Sequence, residues 1–239
     1  MSKFLKVKKM DIIKILFRPI YRFILSIKMN VLKFKELRAM RKYGIEALSE
    51  FDKCMRSNGY TYCLAFGTLL GAVREKSFIP YDEDIDVCMF SSSFSESLIT
   101  ELEKRGFKRQ HTYLVDDGKL GREDSFRYKG VQIDIFYIYD PIDKYPYYCD
   151  FVCFTDANSI SKSVKKYGGL LPRRIQLPFN EKITYIDFHG LSLPIPVNYS
   201  DILSFRYGSD YMVPKKKWNN TSNPNISYWY DKIGVYKKI

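Results

Sequence analysis

The chain has 239 residues, of which 46% are hydrophobic and 16% are aromatic. This composition suits one sizeable domain with its own core and excludes a disordered chain. The net charge of +12 is concentrated in residues 1–42, where thirteen lysines and arginines face two acidic residues and give +11. The rest of the chain is nearly neutral and shows no basic–aromatic binding module, so we expect no nucleic-acid partner.

The first predicted element is a basic amphipathic helix in residues 1–35. From Ile12 to Ile27 the apolar residues recur at helical spacing, and basic residues line the other face four residues apart. Charges end each apolar run well short of the ~20 residues that span a membrane, and Pro19 can kink the helix. We expect the helix to lie on an anionic membrane surface. The alternative is a helix packed on the domain with its lysines in solvent.

Residues 36–239 are predicted to form one mixed α/β domain. Its predicted helices are residues 36–58, Leu69–Arg74 and Phe94–Arg105, the first and last ending at glycines. Its predicted strands are Tyr60–Phe66, Ile85–Met89, Phe107–Tyr113, Ser125–Tyr128 and Val131–Tyr139. After Pro141 the sequence becomes irregular, apart from a short strand pair at Ile183–Phe188 and Leu191–Leu193.

The five cysteines form no recognisable disulfide framework. Their odd number, and the lack of a cleavable signal peptide, predict reduced and buried thiols in a cytoplasmic protein. A structural zinc site is a weaker alternative, because the chain has only two histidines to accompany them.

An acidic pair stands in the strand predicted at Ile85–Met89. Asp84 and Asp86 are two residues apart, so in a strand both carboxylates face the same side. Neighbouring carboxylates repel, and burying them without compensation is costly. A divalent cation relieves this, and hard oxygen ligands suit Mg²⁺, with Mn²⁺ as a substitute. Asp134, alone in an apolar strand, is predicted to be the third ligand of this metal.

These acidic residues also allow interpretations other than a magnesium site. Residues 82–84 would also suit an acidic surface turn, and Asp134 would also suit an ordinary ion pair with Arg127. A calcium-binding EF-hand loop is excluded, because Val87 and Ser93 stand where that loop requires Gly and Glu.

The Gly67-Thr68 pair favours catalysis over the surface turn. It stands between a predicted strand and a predicted helix, upstream of the acidic pair. Glycine lets a phosphate approach the backbone, and the helix N-terminus offers free N–H groups to that anion. A phosphate cradle, paired metal carboxylates and a third carboxylate are the parts of metal-assisted phosphoryl transfer. They predict a nucleotidyltransferase-like α/β (α+β) fold, with a mixed sheet flanked by helices.

The same residues resemble the signature of the LicD (fukutin-related) family, in which GTLLGAVR leads to PWDDDID. Here the two runs are GTLLGAVR at residues 67–74 and PYDEDID at residues 80–86. Residues 131–136 and a C-terminal set around Phe188-His189-Gly190, Pro194-Ile195-Pro196 and Arg206–Tyr211 are also similar to the family. The departures are Tyr81 for Trp, Glu83 for Asp, and Glu75 where a His often stands.

The resemblance implies an enzyme that moves phosphocholine, or ribitol or glycerol phosphate, from a CDP-linked donor to a hydroxyl of a cell-surface glycan. Asp84 and Asp86 would hold Mg²⁺, and Asp134 would be a general base or a further metal ligand. The remaining candidates are Gly67 and Thr68 as the phosphate cradle, Arg74 and Lys76 as counter-charges, Asp82 as an outer ligand, and Arg127 as a phosphate contact or ordinary ion pair.

The implied setting is the inner face of the cell membrane, with residues 1–35 bound peripherally and a glycan or lipid-linked glycan as acceptor. Two other functions remain open. The first is a nucleotidyltransferase that transfers a nucleoside monophosphate to a sugar, protein or small molecule. The second is a non-enzymatic, basic, membrane-associated protein.

Overall fold

The computed structural model describes residues 9–214 and 225–239, without the side chains of residues 9–22 and Leu25. The helices are α1 Lys9–Ser57, α2 Phe66–Arg74, α3 Glu96–Lys104, α4 Ile160–Tyr167 and α5 Tyr199–Tyr207. The first strands are β1 Cys63–Leu64, β2 Asp84–Phe90, β3 Lys108–Val115, β4 Gly121–Tyr128, β5 Val131–Ile138 and β6 Tyr147–Val152. They are followed by β7 Leu171–Gln176, β8 Ile183–Phe188, β9 Leu191–Pro196, β10 Ile226–Tyr228 and β11 Val235–Lys238.

A six-stranded mixed sheet forms the centre, in the order β1-β2-β5-β4-β3-β11. Strands β2 and β5 pair in parallel, and the sheet's other pairs are antiparallel. Helices lie on both faces: Phe51 of α1 packs through Phe107 onto Tyr128 of β4, and Phe66 of α2 packs on Phe136 of β5. The predicted mixed sheet flanked by helices is therefore confirmed.

Helix α1 is one continuous helix of 49 residues, where the sequence predicted two. No Gly or Pro stands between residues 28 and 35 to end the first predicted helix, so it continues into the second. Its C-terminal half packs into the core, with Ala47, Leu48 and Phe51 buried.

Most of the predicted amphipathic stretch of α1 lies outside the described side chains, so its membrane orientation stays a prediction. The helix crosses the predicted boundary at residue 35 without a break. No helix in the described part of the chain has both the length and the apolar character needed to cross a membrane.

The region after Pro141 is more regular than the prediction, which was wrong there. Strands β10, β7 and β6 form a three-stranded antiparallel sheet, and α4 connects β6 to β7. Strand β7 carries two arginines and a proline, which obscure a strand pattern. Arg173 pairs with Asp150 of β6 at 2.5 Å, so the charge that looks unsuitable in the sequence is satisfied by a distant residue.

Two smaller differences concern strand length and cysteine burial. Of the strand predicted at Tyr60–Phe66, only β1 is paired, because Phe66 already begins α2. All five cysteines are free; four are buried and Cys153 is partly exposed.

Gly71 in α2 sets the position of the loop that leads into β2. A Cβ at Gly71 would lie 2.5 Å from the backbone oxygen of Ser77 and 3.1 Å from the nitrogen of Ile79. We predict that Gly71→Ala lowers the free energy of unfolding by about 2 kcal/mol, because backbone must move to admit the methyl group. Urea denaturation would measure this change.

A matched control is Gly44→Ala in α1. Its Cβ would meet only the edge of the Phe78 ring, at 2.9 Å. A ring shift there is offset by the ~1 kcal/mol by which alanine exceeds glycine in helix propensity. We expect a change near zero; equal losses in the two variants would contradict the proposed role of Gly71.

Candidate active site

The three predicted aspartates meet on one face of the central sheet. One carboxylate oxygen from each of Asp84, Asp86 and Asp134 lies within 4.8 Å of the others. The parallel pairing of β2 with β5 places Asp86 directly opposite Asp134. Asp84, two residues before Asp86 on β2, lies on the same face of the sheet. Within residues 9–214 and 225–239 this is the one cluster of three or more side chains able to hold a metal ion.

The electrostatics of this cluster are unfavourable for three free carboxylates. Burial, and then the neighbouring Asp134 and Asp82, raise the pKa of Asp84 to about 7. Burial and the same negative neighbourhood raise the pKa of Asp86 well above its ordinary value. Burial also raises the pKa of Asp134. None of the three forms an ion pair with a lysine or arginine of the described chain.

The hydrogen bonds of Asp134 indicate that its carboxylate lacks a positively charged ligand in the described part of the chain. Its Oδ2 accepts a hydrogen bond of 2.8 Å from Nε2 of Gln132. Its Oδ1 is buried and makes no hydrogen bond of normal geometry with the described residues, although the Ser125 hydroxyl, opposite it on β4, lowers the pKa of Asp134. A buried anionic oxygen without a partner is costly, and a divalent cation shared with Asp84 and Asp86 would satisfy it. The residues present therefore fit a metal ion.

A buried carboxylate on the other face of the same sheet provides the contrast. Asp124 accepts hydrogen bonds from Arg122 and Arg109 at 2.6 and 2.7 Å, from Tyr137 at 3.0 Å, and from Thr112. Burial alone would raise the pKa of Asp124, but these donors lower it overall. The fold can thus pair a buried acid completely, and it does not do so at the three-aspartate cluster.

The start of α2 lies beside the cluster, as the Gly67-Thr68 pattern predicted. Thr68 is buried, and its Oγ1 accepts the backbone N–H of Asp86 at 2.9 Å, which ties α2 to the acidic strand. A Cβ at Gly67 would lie 3.4 Å from Oδ2 of Asp82, so glycine leaves room there. The first-turn N–H groups of α2 have no intrahelical acceptor and can bind an anion.

A cavity of about 290 Å³ opens at this point. Its polar lining comprises Gly67, Arg74, Asp82, Asp86, Arg206 and Tyr207. Arg74 ends α2, where its Nε bonds Glu75 at 2.7 Å and its Nη1 bonds the Tyr211 carbonyl at 3.3 Å. Of the three clustered aspartates only Asp86 lines the cavity, together with Asp82, and two guanidinium groups beside these carboxylates suit a metal–phosphate ligand better than a neutral one.

Arg206 was not assigned a role from the sequence. It projects from α5 and lies over the Phe66 ring, 4.1 Å from the centroid, while Nη1 donates to the Tyr148 hydroxyl at 2.5 Å. Its positive charge favours the ionised form of Asp86. The available signal was an arginine between two aromatic residues, Phe205 and Tyr207, but α5 itself was not predicted.

Glu123 is a second residue that the sequence analysis missed. It lies on β4, whose Ser125 pairs opposite Asp134, and alternation puts Glu123 on that same face. Burial, followed by the charge of Asp134, raises its pKa well above the ordinary value. Its alternation with Ser125 and Arg127 was the signal that could have identified it.

The other predicted residues lie around the cluster rather than in it. Asp82 lines the cavity; one of its oxygens is buried without a described partner, and burial raises its pKa to about 6. Lys76 stands exposed in the loop after α2, outside the cavity lining. Arg127 pairs with Glu36 of α1 at 3.5 Å and bonds Gln132 at 3.1 Å, so it links α1 to the Asp134 strand.

Comparison with known proteins places this arrangement in a family. Residues 59–198 match the family described as LicD/FKTN/FKRP, nucleotidyltransferase domain. That match covers β1 to β9 and all three aspartates. The fold and site are those of a nucleotidyltransferase-like domain, and the chain belongs to the LicD/FKTN/FKRP family.

Individual relatives agree with this placement. The chain is 26% identical over 211 residues to the ribitol-5-phosphate transferase FKTN of Macaca fascicularis, and 25% identical over 211 residues to that of Homo sapiens. Each match covers 84% of this chain and 42% of the relative, so the chain spans less than half of their length. The lipopolysaccharide cholinephosphotransferase LicD of Haemophilus influenzae is 38% identical over 58 residues, 24% of this chain and 22% of that protein.

The raised pKa of Asp84 predicts a measurable pH dependence. Between 3.8 and about 7 the folded chain keeps a proton that the unfolded chain has released, so rising pH favours unfolding. With divalent ions chelated, we expect Asp84→Asn to gain stability relative to the wild type across this range, on the order of 2–4 kcal/mol. Denaturant titrations at a series of pH values would measure the difference.

Saturating Mg²⁺ provides the control for this pH effect. The ion replaces the protons, so it should stabilise the wild type most above pH 7 and Asp84→Asn much less. A difference between the two proteins that stays constant with pH would contradict the proposed electrostatics.

Proposed function

We propose that the chain is a magnesium-dependent transferase that moves a phosphorylated alcohol from a CDP-linked donor to a hydroxyl of a cell-surface glycan. The observation that carries this proposal is the cluster of Asp84, Asp86 and Asp134 beside a cavity lined by Arg74 and Arg206. Membership of the LicD/FKTN/FKRP family supports the same chemistry. The names of two relatives specify ribitol 5-phosphate and choline phosphate, which share a phosphate ester of a small alcohol.

Each residue of the site has its own proposed role in phosphoryl transfer. Asp84 and Asp86, with Asp134, would hold Mg²⁺, which when bound neutralises charge on the donor pyrophosphate. Arg74, Arg206 and the first-turn N–H groups of α2 would bind the phosphate oxygens. The acceptor oxygen forms a bond to the phosphorus that carries the alcohol, the bond from that phosphorus to CMP breaks, and the hydroxyl proton passes to a carboxylate.

Peripheral attachment to the inner face of the membrane is part of the proposal. Residues 1–35 carry +9 of the chain's net charge of +12, and each lysine or arginine near an anionic surface contributes about 1 kcal/mol of attraction. This attachment would concentrate the enzyme where a lipid-linked glycan acceptor resides.

A donor screen tests the reaction class. We expect release of CMP from CDP-ribitol, CDP-glycerol or CDP-choline that requires Mg²⁺ and is abolished by chelation. Asp84→Asn and Asp86→Asn should each reduce CMP release by at least about 10³-fold, because the ion loses an anionic ligand. Chromatography of nucleotide products measures the rates, and circular dichroism checks that both variants fold.

The screen also includes ATP and CTP. Pyrophosphate released from ATP or CTP, without CMP from any CDP-linked donor, would support a transferase of nucleoside monophosphates instead. Full turnover in Asp84→Asn would overturn the assignment of the site. A conservative variant outside the cluster, Asp156→Asn on an exposed loop, should leave the rate within about two-fold of the wild type.

Two roles for Asp134 make different predictions. If its buried Oδ1 is a metal ligand, Asp134→Asn raises the Mg²⁺ concentration for half-maximal rate by about 10-fold or more, and added Mg²⁺ restores part of the rate. If it is the general base, the Mg²⁺ requirement is unchanged and the rate falls by about 10²–10⁴-fold at all Mg²⁺ concentrations. A Mg²⁺ titration of both proteins at fixed donor separates the two outcomes.

A further inference from the structure

A second cavity, of about 330 Å³, lies between α1 and the loop that leads into β2. Its lining includes Leu37, Arg41 and Ile45 of α1, together with Ser77, Asp82 and His189. We propose that this cavity is the acceptor subsite, and that it takes the hydroxylated head group of a membrane amphiphile presented along α1. This inference rests on the proposed transferase function and specifies where its acceptor binds.

The two cavities share two lining residues, Ile79 and Asp82, and Asp82 is the polar one. Asp82 lines both of them, and it stands two residues before Asp84 in the chain. One Asp82 oxygen is buried without a hydrogen-bond partner in the described structure. An acceptor hydroxyl in the second cavity would therefore lie beside Asp82, whose side chain also lines the 290 Å³ cavity. Donor and acceptor would approach the metal cluster from opposite sides of Asp82.

The polar lining of the second cavity suits a hydroxylated head group. His189 Nε2 and Ser77 Oγ lie 2.9 Å apart and offer both donors and acceptors to a ligand. Arg41 adds a fixed cation at the exposed rim. The remaining wall is apolar, with Leu37 and Ile45 facing the space from α1. A sugar or polyol presents hydroxyls and apolar faces of this kind.

Exposed apolar side chains on α1 form a stripe that runs from the wall of this cavity away from the rest of the domain. Phe23, Ile27 and Phe34 are 66%, 48% and 66% exposed, and two further exposed apolar residues, Met29 and Leu32, lie on other sides of the helix. At about 100° per residue, positions 23, 27, 34, 41 and 45 fall within about 40° of one another around the helix. The stripe therefore continues directly into the cavity residues Arg41 and Ile45. From Phe23 to Ile45 it measures about 33 Å.

The charges beside the stripe identify its occupant as an anionic membrane surface. Lys28, Lys35 and Arg38 are exposed on the same stretch of helix. Aromatic and branched apolar side chains flanked by basic ones bind the boundary between head groups and acyl chains. Pairing the stripe with that of a second copy would bring these cations together, which is unfavourable. An amphiphile in the membrane would then lie with its head group at the cavity.

Orientation on the membrane can be measured without any activity. The probe is a vesicle of phosphatidylglycerol and phosphatidylcholine with bromine on the acyl chains, which quenches nearby tryptophan fluorescence. Phe34→Trp places the reporter on the stripe, and Leu32→Trp places it about half a turn away at a position that is 43% exposed. We expect quenching at least ~3-fold larger for Phe34→Trp than for Leu32→Trp, above the constant signal of Trp218 and Trp229.

Occupancy of the cavity is tested with a matched pair of variants. Arg41→Trp fills the rim, and Lys42→Trp removes the same charge from a neighbouring exposed position outside the lining. With vesicle-borne glucosyl diacylglycerol as acceptor, we expect Arg41→Trp to raise the acceptor KM by about 10-fold and Lys42→Trp by less than about 2-fold. Release of CMP from the donor to water, measured without vesicles, should be unchanged in the control Lys42→Trp.

The outcomes separate this inference from the proposed function. Equal quenching of the two tryptophans, a dimer held through the stripe in sedimentation, or equal KM values for the two rim variants would each overturn it. Absence of CMP release from every CDP-linked donor by the wild type would overturn the transferase function itself. The quenching comparison would still decide whether the stripe faces the membrane.

Discussion

The arrangement of this domain depends on one unfavourable interaction: three carboxylates are held together on adjacent strands, and none of them forms an ion pair with a lysine or arginine in the part of the chain that the structure describes. The parallel pairing of β2 and β5 makes the approach of Asp86 and Asp134 unavoidable, because the two residues are opposite in register. Burial, and then their mutual repulsion, raise the pKa of Asp84 to about 7 and that of Asp86 well above its ordinary value. A divalent ion turns the same geometry into a favourable one.

The surrounding structure keeps these carboxylates in place despite their repulsion. Thr68 accepts a hydrogen bond from the backbone N–H of Asp86, and Gln132 donates one to Oδ2 of Asp134. Asp124, on the opposite face, shows how the same sheet neutralises an acid when no ligand is to be bound. The unfavourable charges therefore lie on one face of the sheet, as expected where binding supplies the missing interactions.

The cavities around the cluster are built by elements distant in sequence. The 290 Å³ cavity is lined by the end of α2 and by Arg206 of α5. The second cavity is lined by α1 and the loop before β2. Asp82 belongs to both and connects them. Under the proposed transferase function, one cavity would hold the donor and the other the acceptor. The long α1 adds a surface that reaches from the second cavity beyond the domain.

Local pattern in the sequence determined the parts of the site that lie within a few residues of one another. Alternation in β2 put Asp84 and Asp86 on one face, Gly67-Thr68 marked the start of α2, and the apolar run around Asp134 specified β5. Only the tertiary structure decided that Arg206 lines the 290 Å³ cavity, that Glu123 lies near Asp134, and that Asp82 lines both cavities. The physical reason is that a strand's alternation is a property of its own backbone, whereas these contacts depend on packing between elements. For the same reason β7 was hidden, since the partner that satisfies Arg173 is Asp150, on the strand beyond α4.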